Sequence, residues 1–315
     1  MAERFPLVSV AVASFNNASY IIETLDSIAQ QDYLNWELIV VDDCSTDDSV
    51  AVIAQWLNEH PGTPAQLITK EKNAGISNSF NLAVAVAKGK YFASIGSDDL
   101  FAPNKLSVQV SALEQLGDDY ALVYGDIINI DEFGRVLNDG RSVLGDHPRY
   151  EGSVYTELLT GNFIPAMGQT MRLQAVKDLG GFDESIIIED WDFWLRLAQR
   201  YKVKFVPGVV AEYRLHARSV SHQRQQKLAE STLALLSKHV GQSKELDSIV
   251  AGHFARYAET LAWYENPQTI YWLERTLQLK FFPKILAQLW LYRLGLTLPK
   301  LHKVYRQILP RKQAL

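Results

Sequence analysis

Two strand-like runs end in paired acids, and that punctuation limits the fold of this chain more than any other property. The strand expected over Glu37–Val41 leads into Asp42-Asp43-Cys44-Ser45-Thr46-Asp47-Asp48. The strand expected over Tyr91–Ile95 delivers Gly96-Ser97-Asp98-Asp99. Unbroken apolar runs read as strands covered on both faces, the habit of parallel sheets packed between helices. Acids directly after such strands stand at the carboxyl edge, where open α/β sheets bind ligands. A third acidic segment, Glu189-Asp190-Trp191-Asp192-Phe193-Trp194, opens a helical pattern instead. Acids in a first turn suit the positive end of a helix.

Strand–helix alternation surrounds these segments. Leu7–Ala13 reads as a first strand rather than a secretory signal. Ile21, Ile22, Leu25 and Ile28 recur at helical spacing after Asn17 or Ser19 as caps. Ser45 with Asp48 resembles a capping box ahead of a helix to about Asn58. A short strand over Gln66–Thr69, a helix over Gly75–Ala87 and a helix from Pro103 to about Gly117 continue the pattern. The expected class is therefore α/β, a mainly parallel sheet wound with helices. Beyond Tyr120 the sheet is expected to become mixed. Strands are expected at Tyr120–Tyr124, Gln169–Leu173, Lys204–Val206 and Val209–Leu215, with a hairpin turning at Asp131–Gly134. From about Gln223 the pattern is helical, and Phe281, Phe282, Ile285, Leu286, Leu289 and Trp290 are expected to form one apolar stripe.

Composition excludes several classes. Hydrophobic content of 47% with 21% charged residues supports a packed core. The single cysteine, Cys44, rules out an intrachain disulfide framework or a cysteine metal cluster and fits a reducing compartment. No uncharged apolar run approaches the ~18 residues of a membrane span. The net charge of −5 hides an asymmetry: nine cations and no acid follow from Arg275 onward, which leaves −14 on the rest. Such a split suggests a basic tail with its own partner. An anionic membrane surface suits it better than nucleic acid, because the acidic remainder repels phosphate backbones. A dinucleotide-dependent dehydrogenase needs G-x-G-x-x-G after the first strand, and Ser14-Phe15-Asn16-Asn17-Ala18 stands there.

Six pieces then occur in one order. They are Ser9–Asn16, Val41–Asp47, Asn73-Ala74-Gly75 with Asn81 and Gly89, Ser97-Asp98-Asp99, Gly180–Glu184 followed by Glu189–Asp192, and Tyr213–His216. In that order they resemble the inverting family-2 glycosyltransferases with the GT-A fold, of the bacterial cell-surface polysaccharide or O-antigen type. The resemblance covers roughly residues 6–222. It implies a catalytic domain over 1–222 and a helical C-terminal region over 223–315. Two positions depart from the pattern: Cys44 replaces a glycine, and the first acid of the commonest DxD motif falls on Gly96 or Ser97.

The resemblance also implies roles. Asp43 would accept the N3–H of uracil or thymine, with Ala13 and Phe15 packed on the base. Asn73 would approach the nucleotide, and Asp98 the ribose or the metal shell. Asp99 and His216 would hold Mn²⁺ or Mg²⁺. Asp190 would be the general base, with Glu189 and Trp191 at the acceptor or sugar. The expected partners are a nucleotide-sugar donor, UDP-linked by family habit, and a glycan or lipid-linked glycan acceptor. The expected location is cytoplasmic, peripheral on the inner face of the membrane through the basic tail, with homo-oligomerisation left open. The alternative is a degenerate glycosyltransferase fold kept as a binding or scaffold module.

Overall fold

The computed structural model describes residues 5–216 and 225–308. The expected boundary at 222/223 and the tail cations Arg311 and Lys312 lie outside those residues. The chain divides into two compact units, Met1–Ser219 and Val220–Leu315.

The first unit is built on β1 (Val8–Ser14), β2 (Trp36–Asp42), β3 (Ala65–Thr69) and β4 (Tyr91–Gly96), which pair with one another in parallel. Helices α1 (Ile21–Ala29), α2 (Ser49–Glu59) and α3 (Ile76–Val86) make the crossovers. β1 is buried along almost its whole length, which is why its sequence is apolar without alternation. α1 turns Ile21, Leu25 and Ile28 inward and leaves Ile22 exposed, so the helical stripe is narrower than expected. The core joins these side chains to Leu38, Val40, Ile53, Trp56, Ala93 and Ile95. Each fully buried Val, Leu or Ile contributes about 1.5–3 kcal/mol.

The rest of this unit is mixed, as expected. After β5 (Leu100–Phe101) and α4 (Lys105–Gln115) come β6 (Tyr120–Ile130), α5 (Tyr155–Thr160), β7 (Gln169–Arg172), α6 (Leu173–Asp178), α7 (Glu189–Ala198) and β8 (Lys202–Arg214). The strand order is β3-β2-β1-β4-β7-β6-β8-β5. β7 is antiparallel to both β4 and β6, while β6 and β8 are parallel. Two expected breaks are absent: 120–130 and 202–214 are each one strand, with register shifts inside the β6–β8 pair absorbing the irregular sequence. The expected hairpin is short: Asp131 N donates to Arg135 O, Leu137 N donates to Asn129 O, and Ile130 bridges Val136 antiparallel. Below the sheet, buried Lys105 donates to Gln109 Oε1 (2.6 Å) and Gln169 O (2.7 Å), tying α4 to β7. Burial without an anionic partner pushes its ammonium well below the usual lysine range.

The second unit is helical: α8 (Gln225–Ser237), α9 (Lys244–Trp263), α10 (Thr269–Leu279), α11 (Pro283–Arg293) and α12 (Leu298–Ile308). Ser243 caps α9 by accepting Leu246 N. Leu233, Leu236, Val250, Phe254, Leu261, Trp272, Leu273, Ile285 and Leu289 fill its interior. Gly295, at φ +76°, turns the chain between α11 and α12. The expected apolar stripe splits: Ile285 and Leu289 face inward with Gln288, whereas Phe281 and Trp290 are exposed. The reason is helical phase, because Trp290 stands about 100° around from Leu289 and off the buried line. Among the described residues no helix is long and apolar enough to cross a membrane.

Candidate active site

Strand register builds the floor of the site. Ser14 lies level with Asp42, and Ala13 with Gly96, so the carboxyl ends of β1, β2 and β4 form one edge. Asp42 is buried in that edge and spent on structure. Its Oδ1 accepts Ser45 N (2.8 Å), and its Oδ2 accepts Ser45 Oγ (2.6 Å) and Ser14 Oγ (3.1 Å). Ser45 Oγ in turn accepts Asn16 N, and Asn16 Oδ1 accepts Thr46 N. Ser45 therefore holds this turn and is no helix cap; at the head of α2, Asp47 Oδ1 accepts Ser49 N. Cys44 sits at φ +64°. A left-handed residue with a side chain costs about 1–2 kcal/mol, which explains a glycine at this point of the resembling pattern.

Asp43 is nearly buried and held by one loop. Oδ1 accepts Ala74 N (2.8 Å) and the Lys70 ammonium (2.6 Å), and Oδ2 accepts Gly75 N (2.8 Å). A carboxylate offers about four lone-pair sites, so three donors leave one, on Oδ2. Phe15 is 43% exposed beyond the end of β1, Ala13 is half-buried, and Asn73 is exposed next to the clamp.

The acids after β4 take opposite directions. β5 pairs antiparallel with β8 through Leu100 and Glu212, which brings residues 98–99 beside 214–216. Asp99 turns inward, 4% exposed, with Oδ1 accepting Arg214 N (2.9 Å). Burial first, and then the neighbouring Asp98, hold its carboxyl well above the usual range, against the pull of Arg214. Asp98 is the accessible member, and its Oδ2 lies 2.9 Å from His216 Nε2. Oδ1 of Asp99 is committed to the Arg214 backbone, so the expected role of Asp99 as a metal ligand would fall to its Oδ2.

A carboxylate oxygen and an imidazole nitrogen suit a Mn²⁺-type cation. Two neighbouring ligands at about 2.1 Å around an octahedral ion stand about 3 Å apart, close to the separation found here. Among the described residues no group of three or more such side chains forms a protein-only cage. The fit is therefore to a cation completed by a substrate or water.

Arg214, a default surface residue by its type, is fully buried and organises this corner. Nε donates to Asp98 O (2.8 Å), Nη2 pairs with Glu23 Oε2 (2.7 Å), and Nη1 reaches the carbonyls of Asp131 and Glu132. Its guanidinium lies 5.0 Å from the Tyr20 ring centre.

The third acidic segment opens α7, as expected. Asp190 Oδ1 accepts Trp191 N (2.6 Å), and Oδ2 accepts the Asn162 amide (2.9 Å). Burial raises its pKa against both bonds. Glu189 is 8% exposed, and burial followed by Asp190 pushes its carboxyl up to about 8. Glu189 and Trp191 do not stand as open sugar contacts. Trp191 is 5% exposed, and its indole N–H donates to Leu158 O (2.8 Å). Asp192 is spent on Arg196, whose Nη2 donates to Gly181 O.

Helix α3 links the Asp43 clamp to α7. Asn81 Oδ1 accepts Phe182 N (2.8 Å), its Nδ2 donates to Phe182 O (2.9 Å), and Ser77 Oγ donates to Ile186 O (3.4 Å). Gly181, at φ +74°, lies so close that a Cβ would stand 2.4 Å from Asn81 Oδ1. Lys70, Asn162 and Glu23 escaped sequence reasoning, since nothing local marks them.

Comparison with known proteins bears on the family and the fold. The profile described as Glycosyl transferase family 2 matches residues 9–179. An uncharacterized glycosyltransferase of Rickettsia prowazekii is 28% identical over 233 residues, 71% of this chain and 69% of that protein. Chondroitin synthase of Escherichia coli is 28% identical over 223 residues, 70% of this chain and 30% of that protein. The chain likewise spans only 30% of a Rickettsia bellii relative. S. aureus TarS 1–349 in complex with UDP-GlcNAc superposes with a TM-score of 0.68 at 19% identity, covering 86% of this chain and 81% of that one. The mannosyltransferase PcManGT of Pyrobaculum calidifontis, in complex with GDP-Man and Mn²⁺, gives 0.62 at 20% identity, covering 97% and 85%. At these identities the superpositions establish the GT-A fold.

Proposed function

Since the chain belongs to glycosyl transferase family 2, we propose that it moves a sugar from a UDP-linked donor to a hydroxyl of a glycan acceptor by one inverting displacement. The observation that carries this reading is the division of labour among the acids: Asp98 meets His216 at the sheet edge, while Asp190 stands at the head of α7. In it, Phe15 packs on the base, and the remaining lone pair of Asp43 Oδ2 accepts the N3–H of uracil. Asp98 and His216 would hold Mn²⁺ or Mg²⁺, with Asp99 beside them. A cation held there would supply positive charge for the diphosphate.

Asp190 takes the acceptor proton as that oxygen attacks the anomeric carbon and the bond to the diphosphate breaks on the opposite face. The Trp191 N–H and the Asn162 amide fix both of its oxygens. Burial pushes the neighbouring Glu189 carboxyl up to about 8 and raises Asp190 as well. An acid tuned toward neutrality by burial is a suitable general base. The UDP-GlcNAc complex of TarS and the GDP-Man and Mn²⁺ complex of PcManGT support a nucleotide-sugar donor with a cation.

The test is a thermal-shift series with UDP, dTDP and GDP, each with and without Mn²⁺, on the wild type and Asp98→Asn. A ligand at about 100 times its Kd adds about 2.7 kcal/mol. A Mn²⁺-dependent UDP shift that disappears in Asp98→Asn supports the reading. Absence of any nucleotide shift overturns it in favour of a scaffold.

A further inference from the structure

We propose that the outer face of α11 is a docking surface for an anionic lipid bilayer. This goes beyond the transferase reading and rests on the second unit alone. Pro283, Ala287, Trp290 and Leu294 are exposed and fall on one line, opposite buried Ile285, Gln288 and Leu289. Trp290 is 58% and Leu294 71% exposed, and Phe281, just before the helix, is 66% exposed. Contiguous apolar surface of this kind marks an interaction site.

Its rim decides the partner. Lys280 stands before the helix, and the Lys300 ammonium donates to Gly295 O just after it. The Arg293 guanidinium lies 6.0 Å from the Trp290 ring centre. Glu259 pairs with Lys284 and Glu274 with Arg293, so those two cations are balanced. Lys280 and Lys300 have no acid partner among the described residues, and no acid follows Arg275 anywhere in the sequence. An apolar ridge carrying tryptophan between cations matches the acyl and headgroup layers of an anionic membrane. A symmetric second copy would set the like charges of both rims against each other.

The test uses the full chain and co-sedimentation with vesicles of phosphatidylcholine alone or with about 30% phosphatidylglycerol. The wild type should partition roughly tenfold more strongly to the anionic vesicles, with the preference lost at high salt. Trp290→Glu/Leu294→Glu and, separately, Lys280→Glu/Lys300→Glu should each lower that partitioning at least about tenfold. Melting curves check the fold of each variant. Equal partitioning to both vesicle types, or variants that bind like the wild type, would overturn the proposal. A wild-type dimer that Trp290→Glu/Leu294→Glu dissociates would assign the face to a second copy and overturn it equally.

Discussion

Replacing Glu189 by glutamine should make the protein more stable, and increasingly so as pH rises from 5 to 8. The native carboxyl titrates at about 8 and the free one at 4.5. Between those values the native state holds a proton that the unfolded chain has released. Unfolding then releases protons, and stability falls as pH rises through the window. Below about 4.5 both states are protonated and the penalty is absent. Glutamine reproduces the neutral acid in size and removes the titration. At 1.36 kcal/mol per unit, the penalty relieved is about 1 kcal/mol at pH 5 and about 3 kcal/mol at pH 7. The assay is urea unfolding of both proteins across that range, followed by tryptophan fluorescence, to which Trp191 and Trp194 beside the pair contribute. A wild-type–variant difference that stays constant from pH 5 to pH 8 would refute the reasoning, because a neutral Glu189 is its whole basis.

Three further outcomes are expected. Asp190→Asn should lower kcat by about 10²–10⁴ while the UDP thermal shift persists, as steady-state rates and melting curves will show. Arg214→Met leaves the carbonyls of Asp98, Asp131 and Glu132 without their donor, while Glu23, half exposed, stays solvated, so it should cost about 1–3 kcal/mol in denaturant unfolding and weaken the Mn²⁺-dependent UDP shift. Gly181→Ala forces a Cβ against Asn81 Oδ1 at positive φ, so melting should report a loss of about 2 kcal/mol or more, with kcat reduced through a displaced α7.

The parallel strands and the edge they share were legible because buried parallel strands leave unbroken apolar runs, and the runs of β2 and β4 end in acids. The pairing of β7 was not, since four residues carry no periodic signal that distinguishes antiparallel from parallel. Helix α7 and its acids were legible from the first-turn pattern. The fate of each acid was not: Asp98 and Asp99 are identical in type and adjacent in sequence, and only the β5–β8 register decides which one is buried. Trp191 misled for the same reason, because an aromatic beside a candidate base can face a ligand or the core, and the Leu158 carbonyl settles which. The burial of Arg214 was not legible, because its partners, Glu23, Asp98, Asp131 and Glu132, come from three distant segments.

The pairing of Asp98 with a histidine 118 residues further along also sets when the site can exist. Ribosomes add about 5–20 residues per second, so His216 follows Asp98 by about 6–24 s. Through that interval a nascent chain can close β1, β2 and β4 over short loops, while the Asp98 carboxylate has no imidazole to meet and Arg214 has not yet been made. Long-range closures form late because chain entropy must be overcome before contacts reward it. The parallel half of the sheet is thus a scaffold completed first, and the catalytic edge becomes competent only when β8 arrives.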